Sequence, residues 1–205
     1  MVGLSSAEYI KALMIDYLLK DNQNILIGNE IMYGIEQRMV DLIMLETHIT
    51  AIEIKAQNDS FRRLPEQLGE YQKIFSYIYL VVTANHLAKA LSMVSQDIGL
   101  YLVDENEEIK LVRKAKLQRK ASKQDLLATI SASFLKKRYP AYKKYDADKL
   151  RLVLSRQKTS VIRSLLYDFL EDRITPRFNA FLLERGLCTH VDDIFLLSFP
   201  SKTII

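Results

Sequence analysis

Tryptophan is absent from this 205-residue chain, cysteine occurs once and proline only four times. A lone Cys188 excludes an intramolecular disulfide framework and any zinc site built on several cysteines. The three histidines, His48, His86 and His190, stand far apart with no H-x-x-x-H spacing, which argues against a histidine-rich zinc site. No run of about 18 uncharged apolar residues exists, so no membrane-spanning helix is expected. Glu8, Lys11 and Asp16 interrupt the apolar pattern of residues 1–20. That stretch does not read as a signal peptide, and a cytoplasmic location is the expectation. Neither a G-x-x-x-x-G-K-[ST] loop nor a Ser-His-Asp arrangement is visible, so P-loop ATPase and serine-hydrolase readings find no support.

What is present is ordinary in amount and unusual in arrangement. Hydrophobic residues make up 49% and charged residues 26%, enough apolar surface for a core and too little charge excess for wholesale disorder. The length suits one domain, or one domain with an appendage. Net charge is +4, but it is unevenly spread: residues 1–108 hold 8 Lys/Arg against 16 Asp/Glu, residues 109–158 hold 16 against 3, and residues 159–205 hold 5 against 6. A basic segment after an acidic half is the electrostatic footprint of a polyanion binder. The competing reading is a solvated basic face whose partner is the acidic half of the same molecule.

Ser5 followed by Glu8 resembles a capping box, and Tyr9, Ile10, Leu13, Met14, Tyr17 and Leu18 fall at helical spacing behind it. Ile25–Ile27 and Ile31–Tyr33 read as short extended pieces around Gly28, with a turn at 34–37. Met39–Leu45 and the alternating Ile49–Lys55 form a β-hairpin across Glu46-Thr47-His48. A helix is expected over 61–75, a strand over 77–82, a helix over 84–94, and strands at 99–103 and 109–112. Beyond about Ala115 the pattern is helical, over 124–137, 146–154, 160–170 and 173–185, with Pro140 separating the first two. The whole reads as a mixed-sheet α/β core over 1–115 and a helical, basic extension over 116–205.

The hairpin carries the chemistry. Side chains at i and i+2 of a strand share a face, so Glu53 and Lys55 lie together while Ile52 and Ile54 turn to the core. A short-turn hairpin brings Asp41 beside Glu53. Two carboxylates are hard ligands suited to Mg²⁺ or Mn²⁺, and an adjacent ammonium can orient water or stabilise charge developing on phosphorus. On the following helix Gln67 and Tyr71, at i and i+4, share a face and can donate hydrogen bonds to the same place. Arg62 and Arg63 precede that helix and can hold a phosphate. Glu30 offers a further carboxylate.

Asp41, Glu53-Ile54-Lys55 and Gln67-x-x-x-Tyr71 together resemble the PD-(D/E)XK nuclease superfamily, in particular its RecB-like branch with a Q-x-x-x-Y motif. The stretch from Glu53 to Phe75 with the following Y-I-Y-L-V-V is similar to a less-characterised bacterial family of that superfamily. The resemblance covers about residues 29–115. It implies a restriction-endonuclease-like mixed β-sheet flanked by helices and a Mg²⁺- or Mn²⁺-dependent nuclease acting on DNA, in repair, restriction or phage defence. Asp41 and Glu53, with Ile54 and Glu30, would hold the metal; Lys55 would assist the attacking water; Gln67 and Tyr71 would complete the site. Met39, near a position where many members carry proline or a small residue, and Ala56, where relatives often have serine, depart from the pattern. The alternative is a catalytically silent module of the same fold that binds DNA or a protein. The basic helices suit either reading, and a homodimer or protein partner through them is a further expectation. An E-I-K tripeptide alone is weak, and Asp41 with Lys55 as a structural ion pair is the plain competitor. His48, His86, His190 and Cys188 are read as residues without a chemical role.

Overall fold

The computed structural model describes residues 4–20, 22 and 24–199. Helix α1 (Ala7–Lys20) leads into three antiparallel strands, β1 (Leu26–Tyr33), β2 (Arg38–Leu45) and β3 (Ile49–Lys55). Helix α2 (Leu64–Gln72), strand β4 (Tyr77–Thr83), helix α3 (Ala84–Met93) and strands β5 (Gly99–Val103) and β6 (Ile109–Arg113) follow. Strands β3, β4 and β5 run parallel, and β6 returns antiparallel. The result is one six-stranded mixed sheet in the order β1-β2-β3-β4-β5-β6, flanked by helices. The parallel crossovers need intervening helices, which α2 and α3 supply.

Helices α4 (Lys123–Thr129), α5 (Ala132–Arg138), α6 (Ala147–Leu154) and α7 (Thr159–Glu184) make up most of the remainder, with 3₁₀ turns at Pro140–Tyr142 and Val191–Leu197. They do not stand off from the sheet: α4 and α7 both pack against β1. Gly28 allows this, because a Cβ there would lie 3.2 Å from the Ile174 side chain of α7 and 2.6 Å from Ile31. Strand β3 sits at the centre, with every residue from Ile49 to Ile54 buried. Leu42 and Val81 on its two flanking strands pair with Ile52 and Ile54, and both are essentially without solvent contact. The outer strand β6 is mostly exposed and carries Lys110 and Arg113, charges that blunt a free sheet edge.

Several local features differ from the sequence reading. The cap of α1 is Ser6, whose Oγ accepts the Tyr9 N–H at 3.4 Å, while Glu8 pairs with Lys11 at 2.8 Å. The two extended pieces around Gly28 are one strand. The helix expected over 124–137 is two, because Ser131 caps α5 by accepting the Phe134 N–H at 3.3 Å. The two helices expected over 160–185 are one, running through Pro176, with the charged Glu171-Asp172-Arg173 on its exposed side. No helix among the described residues is long and apolar enough to cross a membrane.

Candidate functional site

The hairpin and α2 bring five of the expected residues to one place. Ile52 and Ile54 are buried, as alternation requires, but Glu53 between them is buried too, at 2% exposure. A carboxylate so deep must be compensated. Its Oε1 accepts from Lys55 Nζ at 2.6 Å, and its Oε2 accepts from the Tyr71 hydroxyl. Lys55 Nζ also donates to Gln67 Oε1 at 3.2 Å. Tyr71 is fully buried, and its ring meets Tyr33 edge-on at 5.3 Å and Phe75 at 5.5 Å. Burial and the negative charges of Glu53 and Asp41 hold the Tyr71 hydroxyl well above its ordinary range, so it remains a hydrogen-bond donor. The same two causes, burial first and then Glu53, raise Tyr33.

Asp41 completes the group from β2. The β2–β3 pairing runs from Leu45↔Ile49 to Leu42↔Ile52, and the next step leads to Asp41 and Glu53. Here the Asp41 side chain takes over from the ladder: its Oδ2 accepts the Ile54 N–H at 2.8 Å. The ion pair is therefore Lys55 with Glu53, not Lys55 with Asp41. Burial and the nearby Glu53 charge push Asp41 up to about 7, despite the Ile54 hydrogen bond and the cations Lys11 and Lys55.

Glu30 takes a different role from the one expected. It lies between Asn29 and Ile31, which pair with Leu42 and Val40, and so stands across the ladder from Asp41. Its backbone is left-handed, at φ 52°, a strained state for a side-chain-bearing residue. Its carboxylate goes to Lys11 Nζ at 3.0 Å. Among the described residues no group of three His, Cys, Asp or Glu side chains gathers as a metal cluster, so Glu30 does not join Asp41 and Glu53 in one. Arg62 and Arg63 are exposed at the start of α2 and touch neither carboxylate.

Lys11 is the residue that sequence reasoning missed. It is 2% exposed on α1, pairs with Glu8 and Glu30, and lends its field to Asp41. Burial alone would lower its pKa; the hydrogen bonds to Glu8 and Glu30 and the Asp41 charge more than offset this. The available signal was its position: Lys11 directly follows Ile10 and precedes Met14 by three, inside the helix's apolar arc. Surface cavities lie elsewhere. One of about 380 Å³ runs between Ile35, Leu127, Arg151 and Leu152. Another of about 410 Å³ is lined by Asp97 and residues 116–120.

This is a mixed α/β protein whose sheet centre carries a buried carboxylate tied to a lysine and a tyrosine. The chain matches the family of bacteriophage P4 protein cII over residues 3–198 and belongs to that family. Protein cII of Enterobacteria phage P4 is 24% identical over 210 residues, covering 97% of this chain and 80% of the phage protein. A solved structure from Silicibacter pomeroyi, of a protein of unknown function, is similar with a TM-score of 0.46 and 17% identity, covering 68% of this chain and 92% of that one.

Proposed function

We propose that this protein is a metal-dependent nuclease of the PD-(D/E)XK type, with a restriction-endonuclease-like core, that hydrolyses DNA phosphodiester bonds. One observation carries the reading: Asp41 and the buried, triply networked Glu53–Lys55–Tyr71 group lie at the same point of the sheet, with Gln67 on Lys55. Burying this much polar chemistry in a central strand adds little to stability when the same volume could be apolar, which favours a functional reason.

The donor chemistry fits a hard divalent cation. Asp41 and Glu53 supply carboxylate oxygens and the main chain at Ile54 lies beside them; burial and the Glu53 charge disfavour the Asp41 anion, which a bound cation would relieve. Mg²⁺ or Mn²⁺ bound there would polarise the phosphate and neutralise charge in the transition state. Lys55 would orient the attacking water and stabilise charge on phosphorus. Gln67 fixes the Lys55 ammonium, and Tyr71 fixes the Glu53 carboxylate. Arg62 and Arg63, exposed beside α2, would take flanking phosphates.

A specific observation favours the second reading, a silent module of the same fold that binds DNA or a protein. Both Glu53 oxygens already accept hydrogen bonds within the protein. Cleavage assays on linear, circular and single-stranded DNA with Mg²⁺, Mn²⁺ or EDTA separate the two. Metal-dependent cutting by the wild type, lost in Lys55→Ala and Asp41→Ala, is the expected result. Binding without cutting under every metal condition would support the silent module.

A further inference from the structure

The basic segment over 109–158 holds a second feature, apart from the Asp41–Glu53 site. Of the sixteen Lys/Arg residues over 109–158, only Lys110, Lys116, Arg138 and Arg151 stand in ion pairs among the described residues. Two of these, Lys110 and Lys116, reach the acidic first half, at Asp104, Glu108 and Asp97. Self-neutralisation therefore does not explain the segment. Four of the unpaired cations fall where α5 ends and α6 begins, in Lys136-Lys137-Arg138-Tyr139-Pro140-Ala141-Tyr142-Lys143-Lys144-Tyr145. Lys137, Lys143 and Lys144 are exposed and Lys136 is half-exposed. Of the nearby acids, Asp146 accepts the Lys149 N–H at 2.7 Å as the cap of α6, Asp168 holds Arg138 at 2.6 Å, and Asp148 is fully exposed, 3.9 Å from Arg151.

Aromatic rings alternate with these cations. Tyr139, Tyr142 and Tyr145 pack partly against the core and leave part of each ring at the surface. Tyr142 and Tyr145 lie 5.4 Å apart, and Lys149 Nζ lies over one face of the Tyr145 ring, 4.5 Å from its centre. Cations that can follow a phosphate backbone, interleaved with rings on which unpaired bases can stack, are the two ingredients of single-strand recognition. A duplex hides its base faces and gives the rings nothing to stack on, and the short Pro140–Tyr142 turn is no groove-reading helix.

We propose that residues 136–149 form a binding surface for single-stranded nucleic acid, in which Lys136, Lys137, Lys143 and Lys144 contact phosphates and Tyr142 and Tyr145 stack on bases. This deepens the nuclease reading by naming the strand state of its substrate. The surface is joined to the site through the β1–β2 turn, where Gly34 N–H donates to Thr129 of α4 at 2.9 Å and α4 packs on α6.

The test is fluorescence anisotropy with the full chain, in EDTA, using a labelled thymidine 20-mer, its duplex and phosphatidylserine vesicles. Replacing the four lysines by alanine should weaken single-strand binding at least about tenfold and flatten the log–log salt slope by about 3. Tyr142→Leu with Tyr145→Leu should weaken single-strand binding about fivefold or more and leave duplex binding alone, and the Tyr→Phe pair should restore it. Because the Phe variants keep the packing, a loss confined to the Leu variants is read against their circular dichroism spectrum. Oligonucleotide affinity unchanged by both sets overturns the proposal. So does equal affinity for duplex and single strand with no tyrosine effect, or binding to vesicles alone. Tight, lysine- and tyrosine-dependent binding without cutting in Mg²⁺ sustains this surface and overturns only the nuclease reading.

Discussion

The sheet and the helical segment treat charge in opposite ways. At the sheet, Glu53, Lys55 and Asp41, with Lys11 delivered from α1, are wholly or largely buried, and each meets a partner. Over 109–158 most cations are exposed and have no ion-pair partner among the described residues. Buried paired charge is coupled to the fold, so its loss costs stability. Exposed unpaired charge adds nothing to the fold and acts on whatever approaches. The difference predicts that substitutions in the first region move stability and activity together, and that those in the second move binding alone.

The largest stability effect is expected at Glu53. Glu53→Ala leaves a lysine and a buried hydroxyl without their acceptor and should cost about 3–5 kcal/mol. For a chain of this size that is roughly a 10 °C fall in a thermal melt. A fall within experimental error would mean that the network is wetter than its geometry indicates. Tyr71→Phe comes next. It keeps the ring and removes one of the two hydrogen-bond donors to the buried Glu53 carboxylate, which should cost about 1.5–3 kcal/mol in a denaturant titration. Lys11→Met leaves Glu30 and Glu8 without their shared cation, but both can reach water, so about 1–2 kcal/mol is expected by the same titration.

Asp41 adds a pH dependence. Its ordinary value of 3.8 is raised to about 7 by burial and by Glu53, so the proton binds the folded state more tightly than the unfolded one. That contribution is complete below about pH 4 and is lost as pH rises through about 7. Metal-free wild type should therefore melt lower at about pH 8 than at about pH 5, and Asp41→Asn, which keeps an acceptor for Ile54 N–H, should flatten the slope. An unchanged slope would assign it to another group. The smallest stability effect is expected from Lys143→Ala with Lys144→Ala, within about 0.5 kcal/mol, while oligonucleotide binding weakens. A large destabilisation there would break the contrast between the regions.

The elements built on strong periodicity were legible. The β2–β3 hairpin, α2, β4, α3, β5 and β6 lie where alternation and helical spacing put them. So were the neighbours Asp41, Glu53, Lys55, Gln67 and Tyr71, because a hairpin and one helix turn fix their proximity locally. What was not legible depends on packing between distant segments. Lys11 lies thirty residues before Asp41, and nothing local shows that α1 delivers its ammonium to Glu30. Glu30 was read as a further ligand because its left-handed backbone and its partner Lys11 are tertiary facts. The continuous α7 was broken in the sequence reading at a charged triplet that lies on the exposed side of the helix, and Pro176 did not end it either. Ser131 was a cap signal available in the sequence, overlooked because the apolar spacing continues past it.

The most direct test of the central claim, that Asp41, Glu53 and Lys55 form a nuclease centre, is single-turnover cleavage with DNA affinity measured on the same samples. Wild type and Lys55→Ala are compared with single-stranded DNA at saturating protein and Mn²⁺. The wild type is expected to cut, and the variant's rate to fall about a hundredfold or more while its Kd stays within about threefold. Equal rates in the two proteins, or a wild type that binds and never cuts, would contradict the claim.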